Sequence, residues 1–283
     1  MGANKGNAKD PADHFNKEVD DRLAILDRLE KVKHTVVVLS GKGGVGKSTV
    51  AVNLAAALAD AGRKVGIMDI DIHGPSVPRM FGMSDAQVEA VGGSIIPVDT
   101  MWGLKMMSIA FFLKKTDAVI WRGPLKMGVI KQFLKDVEWG ELDYLIVDCP
   151  PGTGDEPLSI VQLLGSPTGA VVVTTPQDVA VDAVRRSITF CEQVKLPLLG
   201  VVENMAGFVC PECGAKVDIF GENGGKKLAE EVGTELLASI PLSVELTPRC
   251  DGGRPVALDR ESPIGEIYRR MAEKLDGKVA GKD

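Results

Sequence analysis

At 283 residues, 45% of them hydrophobic and 25% charged, the chain is long enough for one large α/β domain with a full core. A formal net charge of −6 argues against the basic face that a nucleic-acid partner would favour. No apolar run approaches the length of a membrane span, and the polar start MGANKGNAKDPADH lacks a signal-peptide core, so a cytoplasmic protein without a membrane partner is predicted.

Residues 1–17 read as a mobile polar tail. Residues 18–34 read as a leading helix, with Val19, Leu23, Leu26, Leu29 and Val32 at helical spacing for docking. From residue 35 to 276, strand-like runs alternate with helical patterns, at Val36–Leu39, Val65–Met68, Tyr144–Val147, Ala170–Thr174, Leu198–Val202 and Leu236–Ile240. This rhythm predicts a mostly parallel sheet flanked by helices, in one domain. The alternating stretch around Ile95 to Met107 predicts a hairpin or a sheet extension. Ile264, Ile267, Tyr268, Met271 and Leu275 share one face of a closing helix, and residues 277–283 read as a tail.

The strongest motif is GKGGVGKST, from Gly41 to Thr49, placed between an apolar strand and an Ala/Leu-rich helix. Gly41, Gly43, Gly44 and Gly46 let the backbone turn its N–H groups, with those of Val45 and Thr49, toward a polyphosphate. The helix N-terminus adds positive potential there, Lys47 reaches the β and γ phosphates, and Ser48 can ligate Mg²⁺. Lys42 comes too early in the loop to duplicate Lys47, which predicts an outward reach to a second subunit's nucleotide. Strand-end carboxylates supply the rest of a phosphoryl-transfer site. Asp148 reads as a Mg²⁺ carboxylate acting through water, and Asp71 as the residue that positions or activates the attacking water. Asp69 keeps the simpler role of a loop hydrogen-bond acceptor. His73 reads as a general base or, better, as a loop hydrogen-bonding residue.

Cys210 and Cys213 form a CPEC knuckle, in which Pro211 fixes φ and Gly214 permits a left-handed exit. Two thiolates are half of a four-ligand site for zinc or an iron–sulfur cluster, and knuckle chemistry alone favours zinc over a cluster, a redox dithiol or a disulfide. Cys191 shares a helical stripe with Val184 and Ile188 and should be buried. Cys149 lies beside the Asp148 loop, and Cys250 falls in a TPRCDGG turn. Symmetry offers the simplest completion, a homodimer whose two pairs supply four ligands.

GKGGVGKST together with MDIDIHGPSVPRMFG, WRGP, ELDYLIVDCPPGTGDE, VVENM, FVCPECG and IPLSVEL resembles the Mrp/ApbC family of ATP-dependent iron–sulfur cluster carriers. That family belongs with MinD, the partition ATPases and the nitrogenase iron protein, and the matching segments run from about residue 35 to 270. The resemblance implies a P-loop fold with a deviant phosphate loop, in which Lys42 crosses a face-to-face dimer to the partner's ATP. It implies an adenine-contacting role for Asn204 and a 4Fe–4S cluster bridging the cysteine pairs of two chains, with zinc as the alternative occupant. It further implies slow ATP hydrolysis and delivery of the cluster to apo-proteins. WRGP (residues 121–124) carries no clear chemistry, and residues 1–34 hold no cysteine for a second cluster. A MinD-type spatial-organisation ATPase has no use for CPEC, and a dethiobiotin-synthetase-type ligase would need a substrate pocket that the sequence does not announce.

Overall fold

The computed structural model describes residues 11–72, 74–112 and 123–281; His73, Trp121 and Arg122 lie outside them. Helix α1 (Pro11–Leu29) leads into strand β1 (Val32–Ser40), α2 (Lys47–Asp60), β2 (Val65–Asp69) and the short α3 (Val77–Met80). Strands β3 (Glu89–Val91) and β4 (Ser94–Ile96) form a separate hairpin, while β5 (Val98–Asp99) and β6 (Lys105–Ser108) extend the main sheet beside β2. The region around Ile95 to Met107 therefore supplies both a hairpin and an extension. Next come α4 (Gly123–Asp136), β7 (Leu142–Asp148), α5 (Asp155–Leu164), β8 (Gly169–Thr174), α6 (Asp178–Gln193) and β9 (Leu198–Val209). The chain closes with β10 (Lys216–Val217), α7 (Gly224–Glu231), β11 (Leu236–Leu242), α8 (Leu246–Asp251) and α9 (Pro263–Ala280).

The main sheet runs in the order β10-β9-β8-β1-β7-β2-β6-β5, with β11 also on β9, and it is parallel apart from β10 and β5. Alternation along β1 explains the layers. Val36 and Val38 face one core with α2 and α9, while Val37 and Leu39 face the other with α4, α5 and α6. Both faces are covered, so the middle of β1 from Val36 to Leu39 is apolar at every position, each Val or Leu contributing about 1.5–3 kcal/mol through burial.

Three boundaries differ from the sequence reading. The leading helix begins at Pro11 and ends at Leu29, and Val32 belongs to β1, where it pairs with Leu142. Its docking face is rotated as well: Val19, Leu23 and Leu26 are 41%, 60% and 42% exposed, while Ile25 is fully buried. Ion pairs set that rotation, Asp21 with Lys135 and Arg28 with Glu138, and Arg28 also donates to the Lys135 carbonyl and the Ser94 hydroxyl. At the other end, α9 continues through residues 277–280, because Val279 lies one turn beyond Leu275 and extends the buried stripe.

Candidate functional site

The phosphate loop leaves β1 at the carboxyl edge of the sheet, where β2, β7 and β8 also end. Gly46 has φ +83°, and a Cβ there would meet the Asn204 amide at 2.2 Å; a Cβ on Gly41 would meet the backbone of Ala183 in α6 at 2.3 Å. The loop thus runs between α6 and β9 with no room for side chains at those two points. Helix α2 starts at Lys47 with its first N–H groups facing the loop. Gly152, after β7, donates its N–H to the Ser40 carbonyl at 2.8 Å and holds the loop's entry.

Lys47 is buried and its ammonium donates to Asp148 Oδ1, with Asp71 Oδ2 3.8 Å away and the Ser48 hydroxyl at 3.3 Å. Burial works against the Lys47 charge, but Asp148 and Asp71 outweigh it and keep the ammonium above its ordinary pKa. Asp148 Oδ2 is buried without a hydrogen-bond partner among the described residues, beside the Ser48 side chain. An unpaired buried carboxylate oxygen next to a hydroxyl fits a Mg²⁺ ion completed by phosphates and water. Among the described residues, no three His, Cys, Asp or Glu side chains gather into a metal site of their own.

Asp69 and Asp148 are opposite each other on neighbouring strands. Asp69 accepts the N–H groups of Asp71 and Val77 and the Ser108 hydroxyl, so it braces the loop that carries Asp71. Burial, reinforced by the Asp148 charge, raises its carboxyl to about 7. A carboxyl raised on folding adds stability that is complete below its unfolded value of 3.8 and is lost as pH climbs through about 7. Asp69→Asn should therefore gain stability relative to the natural chain between about pH 5 and about pH 8. Urea midpoints at the two pH values check this; an offset independent of pH would show that Asp69 ionises normally.

The phosphate cleft, lined by Lys42, Lys47, Ser48 and Asp71, joins a second, mostly apolar pocket at Gly46, Thr49 and Met80. Asn204 lines that second pocket with Met205, Pro241, Leu242, Leu246 and Cys250. Its Nδ2 donates to the Val45 carbonyl at 2.9 Å, which leaves Oδ1 as the amide's acceptor. The IPLSVEL stretch supplies Pro241, Leu242 and Leu246, a contribution its sequence does not signal because only the β9–β11 pairing brings it beside Asn204. Lys42 turns toward its own chain, with its ammonium 3.5 Å from Gln177 Oε1. Gln177 carried no motif signal.

The cysteine pair lies at the far end of β9. Cys210 donates its N–H to the Ala215 carbonyl and Gly214, at φ +71°, donates to the Cys210 carbonyl, closing a tight hairpin. The backbone N–H groups of Cys213 and then Glu212 hold the Cys210 thiol below its usual pKa, which favours the thiolate a metal needs. Cys210 is half-buried and Cys213 exposed, whereas Cys149, Cys191 and Cys250 are buried elsewhere. Cys250 sits in helix α8 rather than in a turn, because residues 246–251 coil back under the apolar pocket. Burial raises the Cys149, Cys191 and Cys250 thiols, Cys191 to about 12.

A glycine-rich loop between a central parallel strand and a helix N-terminus, with carboxylates ending the adjacent strands, defines a P-loop NTPase. Residues 31–276 match the family described as ParA, NUBPL iron-transfer P-loop NTPase, and the chain belongs to that family. It is 49% identical over 258 residues to the iron-sulfur cluster carrier protein of Methanocaldococcus jannaschii, covering 90% of this chain and 89% of that one. Identity to the cytosolic Fe-S cluster assembly factor NUBP2 of Gallus gallus is 47% over 268 residues, or 92% and 98% of the two chains. Among solved structures, a nucleotide-binding protein from Archaeoglobus fulgidus in complex with ADP superposes with a TM-score of 0.77 at 43% identity, covering 87% of this chain and 96% of that one. The MinC:MinD complex of Aquifex aeolicus shares the fold, with a TM-score of 0.65 at 22% identity and coverage of 86% and 96%.

Proposed function

We propose that this chain is a homodimeric ATPase that binds a 4Fe–4S cluster between the Cys210–Cys213 pairs of two copies and delivers it to apo-proteins in the cytoplasm. The observation that carries the reading is strand β9, which brings Asn204 to the phosphate loop and ends at an accessible thiol pair with two of the four ligands a cluster needs. Relatives named as iron–sulfur cluster carriers and as cytosolic assembly factors support the cargo and the compartment, and the ADP-bound neighbour supports the nucleotide. No helix among the described residues is long and apolar enough to cross a membrane.

In this reading the N–H groups of Gly43, Gly44, Val45, Gly46 and Lys47 cradle the phosphates, and Lys47 shifts its ammonium from Asp148 toward them. Magnesium, when bound, neutralises charge on the β and γ phosphates; Ser48 would hold it directly and Asp148 through water. Asp71, within reach of Lys47 at the cleft, orients the attacking water. Asn204 Oδ1 accepts from the adenine amino group, and guanine presents an acceptor there instead. Lys42 leaves Gln177 to reach the nucleotide of the second copy.

Anaerobic reconstitution tests the assignment. Iron and acid-labile sulfide should appear at about four each per dimer and vanish from a monomeric fraction. Zinc without sulfide would assign the knuckle a structural metal, and neither metal would remove the carrier reading.

A further inference from the structure

Of the register shifts along the strand that runs from the nucleotide cleft to the thiols, the largest lies just past Asn204. Against β11, Asn204 pairs with Ile240 and Phe208 with Leu242, so Met205, Ala206 and Gly207 together face only Pro241. Met205 and Gly207 both have left-handed backbones, at φ 58° and 77°. Extra residues of this kind bend a strand and re-aim the segment beyond them, and methionine adopts a positive φ only where its surroundings impose it.

The residues just before the bulge are pinned on both faces. Asn204 holds the phosphate loop through the Val45 carbonyl. On the opposite face, the buried Glu203 carboxylate accepts the Gly225 N–H at 2.7 Å and the Ser239 hydroxyl at 3.0 Å. Gly225 lies in the first turn of α7, the element to which the chain returns after the thiol hairpin, and Glu203 fills the space that a side chain on Gly225 would need. Within the bulge, Met205 lines the apolar pocket and Gly207 packs against the Asp218 carboxylate on the hairpin's return.

We propose that Glu203 is a positioning residue that makes β9 a fixed pivot, so that a nucleotide base seated against Asn204 and Met205 is relayed through the Met205–Gly207 bulge to Cys210 and Cys213. With Glu203 holding α7 and β11, a displacement at Asn204 is not absorbed by sliding of the strand. It passes to the residues whose backbone can change, the left-handed pair, and from them to the knuckle. The relay deepens the nucleotide-and-thiol reading above and depends on it for the identity of the two sites.

The test is the rate at which iodoacetamide alkylates Cys210 and Cys213 in the reduced, cluster-free full chain, with and without ADP or a non-hydrolysable ATP analogue. In the natural chain, nucleotide should change that rate about fivefold or more. Glu203→Ala should cut the change to less than about twofold while ADP affinity stays within about threefold, and Glu203→Gln, which keeps an acceptor for Gly225, should restore it. Should Glu203→Ala not fold, Ala206→Gly carries the test, because it lies in the bulge but does not line the nucleotide pocket, and glycine there softens the joint. An undiminished response in the folded variants, or none in the natural chain, overturns the relay. Iron and sulfide loading of the same preparations separates the two ideas: loading without nucleotide response sinks the relay alone, and response without loading sinks the carrier reading alone.

Discussion

Lys47→Ala is expected to lower ATP turnover by at least about a hundredfold, the scale on which removing one preorganised transition-state donor acts. The variant should also be less stable, for a separate reason. Lys47 and Asp148 have side chains 5% and 0% exposed, and removing the ammonium leaves a buried carboxylate without its counter-charge. Breaking such a pair costs about 3–5 kcal/mol unless the carboxylate takes up a proton. The two effects can be told apart. Lys47→Met combined with Asp148→Asn removes both charges and should regain most of the lost stability, yet it should remain inactive. Steady-state phosphate release and urea midpoints for Lys47→Ala and the double variant measure this. Turnover by Lys47→Ala within tenfold of the natural chain would show that the ammonium does not serve the phosphates.

Cys213→Ala is expected to abolish iron and sulfide binding while leaving the fold in place. The hairpin is closed by the backbone bonds of Cys210 to Ala215 and Gly214 to Cys210, none of which uses the Cys213 thiol. Cys213 is exposed, so its truncation should cost no more than about 0.5 kcal/mol. Cys210→Ala should lose the cluster equally, because a bridged site with two ligands from each copy becomes a two-ligand site when either cysteine is replaced in both. Cys191→Ala is the control. That thiol is buried against Val184 and Ile188, its pKa is raised to about 12, and its loss should leave loading intact at a modest cost in stability. Full cluster content in Cys213→Ala, measured as iron, sulfide and visible absorbance, would place the cluster elsewhere.

Much of the scaffold was legible because its signals are local. The runs at Val36–Leu39 and Ala170–Thr174 are central strands, since burial on both faces selects apolar residues up to Thr174 at the end of its strand. Positive-φ glycines at Gly46 and Gly214 mark the phosphate-loop turn and the knuckle exit, because few other residues adopt that backbone. The leading helix shows where this logic stops. Its periodicity predicts a docked stripe of Val19, Leu23 and Leu26, but the helix turns Ile25 inward, because Asp21 and Arg28 find partners on α4, β4 and Glu138 that no local pattern contains.

The chemical groups of the candidate site are legible along the chain: a phosphate loop with two lysines, carboxylates at strand ends, and a paired-thiol knuckle. These depend on residue type and close spacing, which chain stiffness turns directly into geometry. Tertiary structure alone decided the relations between distant segments. It set Lys47 against Asp148, Pro241 and Leu246 around Asn204, and Glu203 against Gly225. Those contacts arise from strand order and register, and the sheet assembles them from residues up to about a hundred positions apart, such as Lys47 and Asp148.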